Sequence, residues 1–133
     1  ERYAQIAEHE ARWEEYKLGD AEICLVAYGI TARICKTAVE MARRRGIKAG
    51  LFRPITLWPY PSRQLDEACR RAGVKRVLVA ELNMGQMVDD VRLAINCRLP
   101  VAFHGRTGGV LPSPEELLGE IARLDAEIKE EKD

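Results

Sequence analysis

Residues 76–95 read RVLVAELNMGQMVDDVRLAI. RVLVAEL, at 76–82, is a near-continuous apolar run, the pattern of a strand covered on both faces. VRLAI, at the other end, is apolar at helical spacing. A short polar loop with Asn83, Gly85 and Gln86 joins them. A strand passing through a short loop into a helix is the unit of an open α/β sheet, whose ligands bind at the carboxyl ends of the strands. The loop has two readings. In one, Asn83 caps a helix over about 85–96, Gln86 at the third helical position reaches back, and Gly85 gives room for close approach. Met84 and Met87 are then adaptable apolar contacts of a domain interface. In the other, the free amides at the helix start face a ligand.

The same unit recurs on both sides. EICLVAY (22–28) reads as a buried strand, Gly29 as a turn, and Thr31 as N-cap of a helix to about Arg45 that ends at Gly46. IKAGLFR (47–53) is a second strand. Three prolines (54, 59, 61) then force RPITLWPYPS out of the sheet. Ser62 caps a helix ending at Gly73. LPVAF (99–103) follows the opening unit as a fourth strand, and GRTGG (105–109) is a turn-rich loop. Ser113, Pro114 and Glu116 form a capping-box helix start. The first stretch, ERYAQIAEHEARWEEYK, places Tyr3, Ile6, Trp13 and Tyr16 at roughly helical spacing and reads as a charged helix. The expected architecture is a three-layer α/β/α domain with a mainly parallel sheet. It comprises an N-terminal linker helix over 1–19, the α/β domain over 20–128 and a charged tail at 129–133.

Lys plus Arg and Asp plus Glu both number 21 in 133 residues. That balance argues against binding nucleic acid or an anionic membrane through bulk charge. No apolar run approaches a membrane span and no secretory leader is seen, so a cytoplasmic protein is expected. Cys24, Cys35, Cys69 and Cys97 form no C-x-x-C pair, and neither His9 nor His104 lies at ligand spacing from them; they read as packed, reduced thiols rather than metal ligands. G-x-G-x-x-G and the P-loop pattern are absent, so Gly29 reads as a tight turn. Glu81 ends a strand and suits an acid, a base, a cap or an arginine partner. His104, expected just past a strand end, has no evident partner in sequence. Trp58 and Tyr60 stand on a stiff proline scaffold, as interface aromatics do. No catalytic constellation is complete. The strand-end set Gly29, Thr31, Asn83, Gly85, Gln86 and His104 is a candidate ligand or interface surface.

VAYGITARICKTAV (26–39), GLFRPITLWPYP (50–61), VAELNMGQMVDDVR (79–92) and HGRTGGVLPSPEEL (104–117) resemble, in this order and spacing, the C-terminal domain of the α subunit of 2-oxoacid:ferredoxin oxidoreductases. The lead-in RWEEYKLGDAE (12–22) is most like the branched-chain, 2-ketoisovalerate (3-methyl-2-oxobutanoate) type. The resemblance implies a transketolase C-terminal-domain-like fold. It implies a complex that converts a 2-oxoacid and coenzyme A to acyl-CoA, carbon dioxide and reduced ferredoxin. Thiamine diphosphate, magnesium and iron–sulfur clusters belong to other parts of that complex, and none is expected on this chain. The implied partners are N-terminal domains of the same subunit, β, γ and ferredoxin-like δ subunits, ferredoxin and coenzyme A. The 133 residues then read as part of a longer subunit, with Trp58, Tyr60, Met84 and Met87 at interfaces and no catalytic residue. The alternative is a regulatory domain that binds a ligand at the strand ends.

Overall fold

The computed structural model describes residues 12–55, 61–81, 86–95, 99–105 and 111–132, with 86–89 and 132 in backbone only. Five strands and four helices follow in the order β1 (Trp13–Tyr16), β2 (Ile23–Val26), α1 (Gly29–Arg44), β3 (Ala49–Pro54), α2 (Ser62–Ala72), β4 (Arg76–Glu81), α3 (Gln86–Ala94), β5 (Val101–Gly105) and α4 (Pro114–Lys132). The sheet order is β1-β3-β2-β4-β5. β2 pairs in parallel with β3 and β4, β4 pairs in parallel with β5, and β1 lies antiparallel on β3.

Strand alternation divides the core into two apolar layers. Ile23, Leu25, Leu78 and Ala80 pack with Cys35 and Val39 of α1 and Leu117 and Ile121 of α4. Cys24, Val26, Val77 and Val79 pack with Leu65 and Cys69 of α2, Val91 within α3 and Ile95 just after it. β2 and β4 are buried on both sides, which is why their sequences are continuous apolar runs rather than alternating ones. The expected three-layer α/β/α architecture is the one found.

Helix ends follow the glycines. Gly46 (φ 80°) closes α1: its N–H donates to Arg43 O at 3.0 Å, and the Ile47 N–H donates to Ala42 O at 3.0 Å. That pairing is a Schellman motif, and it needs a left-handed residue where glycine sits. Gly73 (φ 79°) closes α2 in the left-handed conformation too, with its own N–H and that of Val74 both donating to the Cys69 carbonyl, at 3.1 and 3.0 Å.

Several local expectations change. Trp13–Tyr16 is a strand, not the end of a helix. Its apolar spacing was too sparse to hold a helix, whereas β3 offers an unpaired edge and Glu14 lies directly opposite Arg53, joined to it at 2.8 Å. Thr31 is not an N-cap: α1 starts at Gly29, the capping position is Tyr28 without a side-chain bond, and Thr31 is buried in the first turn. Ser62 is likewise the first helical residue, behind Pro61. β5 begins after Pro100, so His104 lies within the strand rather than beyond it. Ser113 does cap α4, its Oγ accepting from the Glu116 N–H at 3.1 Å. The expectations for residues 1–11, Trp58, Tyr60, Asn83, Met84, Gly85, Cys97 and residues 106–109, and for the Gln86 and Met87 side chains, lie outside what is described.

Candidate functional site

The chain leaves β2 for the face carrying α1 and leaves β4 for the face carrying α3. These adjacent strands therefore diverge at their carboxyl ends, the topological switch point at which open α/β sheets form a crevice. The crevice is built from Tyr28 and Gly29 after β2 and from Glu81 at the end of β4. Gly29 has φ 62°, and a Cβ placed on it would meet nothing within 4 Å. There is open space at this position, and Tyr28 gives the start of α1 no side-chain cap. Gln86 begins α3 on the other side of the switch point. Thr31 is 3% exposed and sits behind this opening, while Glu81 is buried at 2%.

His104 lies on the α1/α4 face. Its Nε2 is 3.3 Å from Glu116 Oε2, with the two side chains 21% and 34% exposed. The Ser113 cap fixes the helix turn that carries Glu116. Alternation along β4 turns Glu81 to the opposite face, with Val77 and Val79. The sheet therefore separates His104 from Glu81. His104 and Glu116 can share or pass a proton at the rim, but Cys24, Cys35 and Cys69 are buried. A hydrogen bond with Cys69 and burial push the Cys24 thiol well above its usual range, and burial pushes Cys35 up to about 12. These are protonated core thiols rather than nucleophiles.

A feature absent from the sequence reading lies at the β1 edge. A groove of about 480 Å³ is lined by Glu14, Tyr16, Arg33, Lys36, Leu51 and Arg53, among others. The Tyr16 hydroxyl donates to Glu40 at 2.7 Å, which holds the phenol above its usual pKa, and the Lys36 ammonium lies 4.7 Å from the ring centre. Among the described residues Arg33 and Lys36 form no ion pair. Four residues of β1 are too few to show a period, so nothing in the local sequence marks this groove. Among the described residues no three His, Cys, Asp or Glu side chains are grouped to hold a metal ion, and no helix is long and apolar enough to cross a membrane.

Residues 21–117 match the family described as pyruvate:ferredoxin oxidoreductase core domain II. The chain is 44% identical over 127 residues to ketoisovalerate oxidoreductase subunit VorB of Methanothermobacter marburgensis, a match covering 96% of this chain and 35% of that protein. The chain thus spans about a third of that relative's length. Among solved structures, it resembles 2-oxoglutarate:ferredoxin oxidoreductase from Magnetococcus marinus with a TM-score of 0.77 at 21% identity, covering 90% of this chain and 21% of that one. It resembles a split-gene transketolase with a TM-score of 0.69 at 20% identity, covering 84% and 40%. At these identities the two structures speak for the fold, a transketolase-like α/β sheet, while the family match covers most of the core, from before β2 into α4. The chain belongs to the pyruvate:ferredoxin oxidoreductase core domain II family.

Proposed function

We propose that this chain is a non-catalytic assembly domain of a thiamine diphosphate-dependent 2-oxoacid:ferredoxin oxidoreductase. The complex would convert a 2-oxoacid of the branched-chain class and coenzyme A to acyl-CoA, carbon dioxide and reduced ferredoxin. One observation carries the reading: nearly the whole chain aligns with a ketoisovalerate oxidoreductase subunit, yet among the described residues its strand ends bring together only a histidine–glutamate pair on one face and a buried glutamate on the other.

The implied cofactors do not fit the described residues. Magnesium with a diphosphate needs converging oxygen ligands, and iron–sulfur clusters need clustered thiolates. No such convergence occurs among the described residues, and the described thiols are buried. In this reading thiamine diphosphate, magnesium and the clusters belong to other parts of the complex, and no step is routed through them. In this reading the partners are N-terminal domains of the same subunit, the β, γ and δ subunits and, at the level of the complex, ferredoxin and coenzyme A, in the cytoplasm. Residues 1–19 join the α/β domain (20–128) to what precedes it, with Trp13–Tyr16 anchored in the sheet; the expected charged tail at 129–133 is instead, through Lys132, the last turn of α4, where Glu131 meets Arg76. Trp58, Tyr60, Met84 and Met87 serve as interface residues, and Asn83, Gly85 and Gln86 as a docking turn.

The test is a turnover assay of this chain alone with 2-oxoacid, coenzyme A, thiamine diphosphate, magnesium and a viologen acceptor. No reduction is expected, and steady reduction sinks the reading. The second reading, a regulatory ligand site, is favoured by the open, uncapped start of α1 beside Gly29. Calorimetry with nucleotides, coenzyme A and phosphate tests it, with saturable heat as the supporting result.

A further inference from the structure

We infer that the carboxyl edge of the sheet is the face on which the polypeptide upstream of residue 12 docks. The inference rests on the assembly reading and adds to it the surface, the occupant and the occupant's chemistry. Among the described residues six large hydrophobic side chains are exposed, and five of them gather at one pole: Trp13, Ile30, Ile55, Phe103 and Leu111. Ile55 directly follows β3, Ile30 lies in the first turn of α1 after β2, Phe103 is the central residue of the edge strand β5, and Leu111 precedes α4. Trp13 starts the antiparallel β1 opposite Pro54, the last residue of β3. The sheet order spreads them from one edge of the sheet to the other. Scattered exposed apolar residues are ordinary, but a collection at one pole marks a contact surface.

The path of the chain identifies the occupant. The Arg12 carbonyl accepts from the Ile55 N–H at 2.9 Å, so the backbone enters the fold at this same pole. α4 carries the chain away from it: its last turns, through Glu127 and Glu131, bind Arg76 at the amino end of β4. The match covers 35% of the ketoisovalerate relative, and the assembly reading places the N-terminal domains of the subunit upstream of this fold. A covalently attached body entering beside an apolar pole docks at high effective concentration, without needing strong intrinsic affinity. The groove beside β1 supplies the polar margin. Arg33 and Lys36 line it without an ion-pair partner among the described residues, so the matching surface of the occupant is apolar at its centre and carries carboxylates where it meets α1.

Hydrogen exchange on the complete subunit and on the 133-residue chain tests this. The expected result is that amides of residues 29–31 and 103–105 exchange about tenfold or more slowly in the complete subunit, while 92–94, around the exposed Leu93 at the far pole, do not change. Ile30→Glu with Phe103→Glu should abolish that protection in the complete subunit, Arg33→Glu should weaken it, and Leu93→Glu should leave it intact. Absence of protection, or protection that survives the double substitution in a subunit of unchanged Tm, overturns the inference. Concentration-dependent dimerisation of the 133-residue chain that the double substitution abolishes also overturns it, because the occupant is then a second copy. Turnover by the 133-residue chain alone would refute the assembly reading whatever the exchange data show; an unprotected edge refutes only the docking.

Discussion

At Gly50 the fold depends on a missing side chain. A Cβ there would sit 2.6 Å from the Lys17 carbonyl oxygen and 2.8 Å from Leu18 Cα, both backbone atoms. Neither can swing aside, because Arg43 pins this turn: its Nη2 donates to the Lys17 carbonyl at 2.7 Å and to Asp20 at 2.7 Å, and its Nε donates to the Ala49 carbonyl at 2.9 Å. Gly50→Ala is expected to destabilise the fold by about 1–3 kcal/mol, the usual cost of overpacking, as measured by urea denaturation. Cys35 makes a second prediction. Its folded pKa of about 12 lies above the value of 9.0 for a free thiol. The unfolded chain therefore loses this proton first as pH rises, and stability present below pH 9 declines between pH 9 and 12. The contribution is at most about 1.4 kcal/mol per pH unit. Cys35→Ala should show a shallower decline in its urea midpoint over that window. An unaltered slope would mean the thiol is not the group responsible.

At the scale of elements, α4 is held at both ends by different means. Its start depends on the Ser113 cap, so Ser113→Ala should lower stability by about 1 kcal/mol in thermal unfolding. Its far end depends on Arg76, 10% exposed, whose Nη2 reaches Glu131 Oε2 at 2.7 Å and whose Nε reaches Glu127 at 3.4 Å. Both glutamates are substantially exposed, so solvent screens the pair. Arg76→Leu is expected to cost only about 1 kcal/mol globally, but to speed amide exchange selectively at 127–132. The capped start of α4 was legible because Ser-Pro-Glu-Glu encodes it locally. β2, α1, α2 and β4 were legible because apolar runs and glycine stops are also local signals. The His104–Glu116 contact was not, because it requires α4 to lie on the β5 face, and β1 was not, because its partner is roughly 40 residues away along the chain. The strand-end candidates were partly legible: Gly29 and Gln86 do stand at the switch point, whereas Thr31 is buried and His104 faces the other layer from Glu81.

For the whole molecule, β1 closes one side of the sheet. Without it, β3 would present an open ladder next to an apolar strand, a template for pairing between chains. A chain beginning at residue 19 is therefore expected to aggregate, with light scattering rising at concentrations where the 133-residue chain stays clear; comparable clarity would mean the β3 edge is protected by other means. The opposite placement of Arg12 and the last turn of α4 has a practical corollary. Since the described backbone comes in beside Ile55 and α4 ends near Arg76, the fold is wired in series rather than as a loop. It cannot be spliced into a surface turn of a host protein, which requires neighbouring ends. A fluorescent protein or affinity handle fused after α4 would hang from the pole away from the apolar edge and leave it accessible, whereas the same handle placed ahead of β1 would obstruct it.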